Sequence, residues 1–152
     1  MSRVSAARRG RFARLGAVMA IAVVAGLGAT SSAHAAAGPL AQAIADGKHM
    51  FIHDTFGGRG MTCESCHRAA GMGPTVVHGR HFPSLANAAA IFPRYNPRAH
   101  KVITLEDQIR GCVARGLGGK PPAGGSKAMA DMVAYLTSLS QGKPIAMGAK
   151  PR

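Results

Sequence analysis

The stretch Cys63-Glu64-Ser65-Cys66-His67 decides the fold, because its C-x-x-C-H spacing is the attachment signature of a c-type haem. The two thiols form thioether bonds to the porphyrin, and the adjacent imidazole is the proximal ligand of the iron. A C-x-x-C pair can also be a thioredoxin-type redox pair or half of a zinc site. Those sites need a βαβ pattern or a second ligand pair downstream, and the sequence has neither. The motif therefore predicts one covalent haem c held by Cys63, Cys66 and His67.

Residues 1–35 have the features of a cleaved secretory signal peptide. Five arginines lie between positions 3 and 14, an apolar run covers residues 15–29, and Ala33-His34-Ala35 suits signal peptidase. The apolar run is shorter than the roughly 20 residues that span a bilayer, which argues against a retained anchor. We expect cleavage after Ala35, a mature domain over residues 36–152 in the periplasm, and no stable membrane insertion.

The mature chain is basic. The whole sequence has a formal charge of +13, with 19 basic and 6 acidic residues, and removing the five leader arginines leaves fourteen basic residues. The basic residues form no run of five, and aromatic residues make up only 5% of the chain, so a nucleic-acid partner is not indicated. This charge favours docking to an acidic redox protein or attraction of small anions.

The first helix of the mature chain is predicted from about Pro39 to His53. Leu40, Ile44 and Phe51 recur at helical spacing, and Gly47 lies on the same face. A glycine on that face would allow another helix to cross closely.

The middle of the chain contains no strand pattern of any length. Residues 69–83 are rich in Gly and Pro and are predicted to be a loop around the cofactor edge, residues 84–91 a short helix, and residues 94–101 a basic turn region. The sequence therefore predicts an all-α fold of about four helices around one covalent haem.

Two further helices follow. Thr104 is predicted to cap the first of them, because Glu106 and Asp107 come next, where the helix dipole favours negative charge. Its buried stripe is predicted to consist of Leu105, Ile109, Cys112 and Val113. Ser126 is predicted to cap the last helix, which ends by Gly142 and whose apolar face carries Met129, Met132, Val133, Leu136 and Leu139. We expect residues 143–152 to be a flexible tail.

The second axial ligand of the iron has several candidates. Cys112, 45 residues after His67, is the cysteine left over from haem attachment, although a free cysteine on an apolar face is commonly a small buried hydrophobe. Methionine is a common second ligand in c-type cytochromes, and Met129 and Met132 lie at core positions on the last helix. The remaining candidates are Met72, Met147, His78, His81 and His100.

Several segments resemble known cytochromes. Gly47-Lys48 with Phe51, the C-x-x-C-H motif, and Tyr135-Leu136 resemble class I cytochrome c, in which the first and last helices cross over the haem. A narrower resemblance lies in residues 92–95, residues 102–107, Gly111-Cys112 and residues 119–121. These segments are similar to the haem domain of thiosulfate dehydrogenases and of SoxA-type sulfur-oxidation cytochromes.

The resemblance implies a role for Cys112, since the cysteine at its position in those families is the second axial ligand and the place where thiosulfate reacts. It ranks Cys112 first among the ligand candidates, Met129 or Met132 second and His81 third. A catalytic role for Cys112 follows from the same resemblance. Arg94, Arg98, Lys101 and Arg110 could hold an anionic substrate, or they could form a solvated basic face.

Two features depart from the thiosulfate dehydrogenases. Gln108 stands where those enzymes usually carry an arginine, and this chain has one C-x-x-C-H motif where they generally carry two haems. We therefore expect an exported monohaem cytochrome, ligated by His67 and Cys112, that transfers electrons to another cytochrome or redox protein in the oxidation of thiosulfate or related sulfur compounds. The alternatives are a catalytic subunit that oxidises thiosulfate and an ordinary His/Met shuttle serving an oxidase.

Overall fold

The structure, a computed structural model, describes residues 38–150. The predicted signal peptide, residues 1–35, lies outside the described residues. Helix α1 spans Pro39–His53, which confirms its predicted bounds. Proline suits the first turn of a helix because the backbone N–H that it lacks would have no partner there.

Helix α1 crosses the last helix, α4, which spans Lys127–Ser138. At the crossing, Gly47 lies against the backbone of Asp131 and the Cβ of Tyr135, so that any side chain at position 47 would collide with them. The rings of Phe51 and Tyr135 meet edge to face with centroids 5.5 Å apart. The close crossing that the sequence predicted at Gly47 is therefore confirmed.

The prediction of an all-α fold is wrong. Strand β1 (Thr75–Val77) pairs antiparallel with β2 (Arg80–Phe82), and β3 (Arg94–Asn96) pairs antiparallel with β4 (Lys101–Ile103). The described residues therefore combine helices with two small sheets, which lie in segments where the sequence predicted a loop and a turn. Three-residue strands are too short to show the alternation by which a strand is recognised.

The β1–β2 turn carries the local signal that the sequence reading missed. His78 and Gly79 have φ angles of 47° and 73°, and both are left-handed. A two-residue hairpin turn of this kind matches the twist of the paired strands. The turn, rather than any pattern within the strands, defines this hairpin.

The short helix predicted over residues 84–91 is also wrong in extent, because only Ala89–Ile91 form one turn of 3₁₀ helix. The N–H of Leu85 donates to the Gly71 carbonyl at 2.7 Å, and that of Ala86 donates to the Ser84 hydroxyl at 3.1 Å. Both donors would lie in the first turn, which an α-helix leaves without partners of its own. The later N–H groups of Ala88 and Ile91 donate three residues back, to Leu85 and Ala88, as in 3₁₀ turns.

Helix α3 spans Leu105–Gly111 and begins as predicted at Thr104. The Thr104 hydroxyl accepts from the Asp107 N–H at 3.2 Å, and the Asp107 carboxylate accepts from the Thr104 N–H at 3.1 Å. The helix continues as a π-helical segment over Cys112–Leu117 and ends at Gly118, whose φ of 69° is left-handed.

Helix α4 begins as predicted after Ser126, whose hydroxyl accepts from the Met129 N–H at 3.2 Å. Beyond α4, the N–H groups of Ala146 and Gly148 donate to the carbonyls of Ala90 and Ile91 at 2.8 and 3.0 Å. The flexibility of the tail stays a prediction.

Of the helices within residues 38–150, none has the length and apolar character needed to cross a bilayer. The core cluster consists of Phe51, Ile109, Val113, Leu117, Met129, Met132, Tyr135 and Leu136.

Candidate haem site

A cavity of about 800 Å³ lies between the haem motif and helix α3. Cys63, Cys66 and His67 line it together with Gln108 and Cys112, although more than forty residues of chain separate the two groups. Cofactor and ligand cavities in proteins are commonly about 300–1,000 Å³, so the size suits a large cofactor. The fold thus brings together the thiols, the imidazole and the third cysteine.

The two motif cysteines lie on a single helical turn, α2, which spans Cys63–Cys66. Thr62 and Ser65 form a capping box at its start, and the His67 N–H donates to the Cys63 carbonyl at 2.9 Å at its end. Residues three apart on a helix share a face, so both thiols are presented on the same side.

The chain after His67 is fixed by contacts on either side of Ala70. The Ala70 N–H donates to the Glu64 carboxylate at 2.9 Å, and the Tyr135 hydroxyl donates to the Ala70 carbonyl at 2.6 Å. The second bond comes from α4, so the helix crossing holds the haem motif in place.

The imidazole of His67 is held in the form that binds a metal. Its Nδ1 lies 3.2 Å from the Pro83 carbonyl oxygen, which can only accept, so Nδ1 carries the proton and Nε2 keeps its lone pair. The ring also meets Phe82 edge to face at 5.6 Å. Burial lowers the pKa of His67, which favours the neutral ring that a metal requires.

Burial also shifts the pKa of the two motif thiols. It raises the pKa of Cys63 to about 12 and raises the pKa of Cys66, so both are neutral thiols at physiological pH. Repulsion from Cys112, which lines the same cavity, raises the pKa of both thiols further.

Cys112 differs from its neighbours on α3 and the π-helical segment. The sequence predicted a buried stripe, and Ile109 and Val113 are 4% and 1% exposed, but Cys112 is exposed. That prediction is wrong because the Cys112 side chain faces the cavity instead of the packed core. Its Sγ lies 3.2 Å from the Gln108 Nε2, and the Gln108 Oε1 lies 3.4 Å from the Arg94 Nη2.

Five arginines line the cavity, whereas none of its described lining residues is Asp or Glu. Of the four predicted anion-binding residues, Arg94 and Arg98 line the cavity, whereas Lys101 and Arg110 do not, and the substrate role of all four stays a prediction. Three further arginines that were not predicted from the sequence also line the cavity: Arg59, Arg80 and Arg115. For Arg59 and Arg115 a signal was present, since each lies within four residues of a cysteine assigned to the site.

The guanidinium of Arg94 is held over the Phe92 ring, with its central carbon 5.0 Å from the ring centroid. Within residues 38–150 its Nε is buried and has no hydrogen-bond acceptor. A buried donor of this kind normally has a partner, and an oxygen of a bound carboxylate or other anion would supply one.

A comparison with known protein families finds a match over residues 46–145 to the family described as SoxA/TsdA, cytochrome c domain. The chain belongs to this family. The predicted resemblance is therefore confirmed, and the protein has a SoxA/TsdA-type cytochrome c domain, a class that carries covalent haem c.

Two curated relatives of this SoxA/TsdA-type domain are thiosulfate dehydrogenases. That of Allochromatium vinosum is 33% identical over 114 residues, covering 71% of this chain and 41% of the relative. That of Psychrobacter arcticus is 32% identical over 87 residues, covering 57% of this chain and 25% of the relative. The chain thus spans less than half the length of either relative.

Two solved structures share the fold of this SoxA/TsdA-type domain at 22% sequence identity, with a TM-score of 0.58 in each case. They are the thiosulfate dehydrogenase TsdBA from Marichromatium purpuratum and SoxXA from P. pantotrophus. Each covers 74% of this chain, which in turn covers 26% and 38% of those chains, respectively.

The residues of this SoxA/TsdA-type domain fit a covalent haem. Two thiols lie on one turn, a neutral imidazole keeps its Nε2 available, and apolar side chains form much of the cavity wall. The unpaired Nε of Arg94 and the other arginines suit the two carboxylates of a haem.

Only some of the residues that could replace Cys112 as iron ligand in this SoxA/TsdA-type domain line the cavity. Met132, His78 and His81 line the cavity, and so does Met61, which the sequence reading missed. Met129 is fully buried in the core and does not line the cavity. The other candidates that lie outside the lining are Met72, Met147 and His100.

Proposed function

We propose that this chain is an exported monohaem cytochrome c that passes electrons in the oxidation of thiosulfate or a related sulfur anion. In this proposal Cys63 and Cys66 hold the haem, and His67 and Cys112 are its axial ligands. The observation that carries the proposal is that Cys112 and the C-x-x-C-H motif line one cavity. Membership of the SoxA/TsdA family supports the sulfur pathway.

The proposed roles of the side chains follow from their surroundings. When bound, the haem supplies a one-electron redox centre whose potential is set by its axial ligands and their hydrogen bonds. Pro83 orients the His67 ring through Nδ1, and burial keeps that ring neutral. A cysteine sulfur bound to the iron would donate more electron density than a methionine and would hold the potential low.

One haem sets a limit on the chemistry. The chain has three cysteines and one C-x-x-C-H motif, which supports the attachment of a single haem. Joining two thiosulfate anions through a new S–S bond releases two electrons, whereas one haem accepts one. The proposal therefore includes a second cytochrome or redox protein as partner, in the periplasm to which the predicted signal peptide would direct the chain.

A second candidate function is catalysis of thiosulfate oxidation at Cys112. What favours it is the set of five arginines around the same cavity, with no Asp or Glu among the described lining residues. Such a field concentrates small anions next to the sulfur. In this alternative the chain itself binds thiosulfate, instead of receiving electrons from another protein.

The test of ligation is the replacement Cys112→Met in the haem-loaded protein. We expect the thiolate-type spectrum to be lost, the weak long-wavelength band of a methionine-ligated ferric haem to appear, and the reduction potential to rise. The matched control is Met132→Leu, which removes a rival sulfur that lines the cavity. An unchanged spectrum after Cys112→Met would refute cysteine ligation, and loss of the native spectrum in Met132→Leu alone would support the His/Met shuttle.

Turnover separates the carrier from the enzyme. The purified protein is mixed with thiosulfate and an artificial electron acceptor, and acceptor reduction is followed. A carrier gives no turnover until its donor is added, whereas a catalytic subunit turns over alone and loses that activity in Cys112→Ser.

The mass of the exported protein tests the predicted export and the number of haems. We expect a mass that corresponds to removal of residues 1–35 and addition of one haem.

A further inference from the structure

The side chain of Gln108 lies between Arg94 and Cys112. Its Oε1 is 3.4 Å from the Arg94 Nη2, and its Nε2 is 3.2 Å from the Cys112 Sγ. A guanidinium can only donate, so the amide oxygen must face Arg94 and the amide N–H group must face the sulfur. Arg94 is itself held over the Phe92 ring. The orientation of the amide is thus determined by its neighbours.

We propose that Gln108 is a positioning residue of the haem site, which donates an N–H to the Cys112 sulfur, directs that sulfur and raises the haem reduction potential. The inference rests on the proposed function in one respect, that Cys112 is an axial ligand. It goes further because it assigns the tuning of that ligand to a neutral amide and the holding of the amide to Arg94.

The electrostatic reason is the effect of a hydrogen bond on a sulfur ligand. A donor to the sulfur withdraws electron density from it, so the oxidised iron is stabilised less and the potential rises. The amide carries no net charge, so it can make this bond without adding a cation to the five arginines of the cavity. The arginine that thiosulfate dehydrogenases usually carry here would bring such a charge.

The geometric reason is the local backbone. Gln108 and Cys112 are four residues apart, a spacing at which side chains on a helix meet. Cys112 is also the first residue of the π-helical segment, where the helix widens and side-chain directions change. A bond from the preceding α-helical turn directs the sulfur at the point where the helix geometry changes.

The experiment compares the reduction potentials of haem-loaded variants. Gln108→Leu keeps the approximate size and removes the donor, and Gln108→Glu replaces the donor with a negatively charged acceptor. We expect a lower potential than wild type in the Leu variant and a lower one still in the Glu variant. Arg94→Met is expected to lower the potential as well, and the double variant with Gln108→Leu to fall short of the sum of the two shifts, because both changes disrupt one hydrogen-bonded chain.

The matched control is Gln141→Leu, since Gln141 is exposed and does not line the cavity. If neither Gln108 variant shifts the potential beyond this control, the inference is wrong. If the Leu variant fails to take up haem, the reduction potential of the Glu variant, whose side chain is polar like that of glutamine, still tests the inference. Two single variants separate the two proposals. An unchanged spectrum in Cys112→Met refutes cysteine ligation. If Cys112→Met changes the spectrum but Gln108→Leu leaves the reduction potential unchanged, only this inference is refuted.

Discussion

The hydroxyl of Tyr135 connects the last helix to the haem motif. Tyr135 is 3% exposed, and its hydroxyl donates to the Ala70 carbonyl at 2.6 Å. Ala70 has a left-handed φ of 52°, and its N–H is bound by Glu64. A backbone conformation that is unfavourable for a residue with a Cβ is thus stabilised by two hydrogen bonds.

We expect Tyr135→Phe to reduce the free energy of unfolding by about 1–3 kcal/mol, because it leaves a partly buried carbonyl without its donor. Thermal unfolding of the haem-loaded variant measures the loss. The control is Tyr95→Phe, because Tyr95 is 59% exposed. Equal stability of the two variants would show that the bond to Ala70 contributes nothing.

Arg94 lines the cavity, and within residues 38–150 its buried Nε has no hydrogen-bond acceptor. For the catalytic alternative, in which the chain itself binds thiosulfate, we expect Arg94→Lys to weaken that binding to the haem-loaded protein by about tenfold. A lysine cannot reproduce the planar set of donors, and one charge-assisted hydrogen bond is worth about 1.5–3 kcal/mol. Arg68→Lys is the control, since Arg68 is exposed and does not line the cavity. Titration of the haem absorption spectrum with thiosulfate gives both affinities, and equal affinities would remove Arg94 from anion binding.

The crossing of α1 and α4 depends on Gly47. A Cβ there would meet the backbone carbonyl of Asp131, which cannot move aside as a flexible side chain could. The crossing also carries an ion pair, in which Lys127 bridges Asp46 and Asp131 at 2.7 Å each. The carboxyl of Asp131 is buried, so the lysine supplies the charge that this position needs.

We expect Gly47→Ala to reduce the free energy of unfolding by about 1–3 kcal/mol through overpacking, a cost that exceeds the gain of about 1 kcal/mol in helix propensity. Gly124→Ala is the control, because a Cβ there would lie 3.8 Å from Arg110, an ordinary contact. Denaturant unfolding of both variants checks the expectation. A Gly47→Ala protein at least as stable as wild type would mean that the helices can separate without loss.

The molecule as a whole is basic, and after removal of the predicted leader it has fourteen basic and six acidic residues. We expect the reduced haem protein to react with an anionic acceptor such as ferricyanide several-fold more slowly at ~0.1 M than at ~0.01 M ionic strength, because salt screens the attraction over roughly 10 Å instead of 30 Å. A cationic acceptor such as hexaammineruthenium(III) is the control and should show the opposite trend. Stopped-flow rates measure both, and the same trend for both acceptors would contradict charge steering.

The sequence by itself determined the features that are local. The C-x-x-C-H spacing, the start of α1 at Pro39, the cap at Thr104 and the cap at Ser126 each depend on a few neighbouring residues. The glycine at the helix crossing could also be predicted, because helical periodicity placed it on the apolar face. Such features depend on backbone geometry within one or two turns, which the residue order specifies.

Only the tertiary structure decided the exposure of Cys112 and the arrangement of the arginines, and of the two hairpins only β1–β2 carried a local signal, in its His78-Gly79 turn. Three-residue strands form because a partner strand is near, and their residues show no pattern of their own. Periodicity indicates that one helix face is covered, but it does not distinguish a face packed on the core from one that faces a cavity. The contact from Arg94 through Gln108 to Cys112 joins a strand to a helix, and no rule of local spacing contains it, because the distance between those elements is set by the packing of the whole chain.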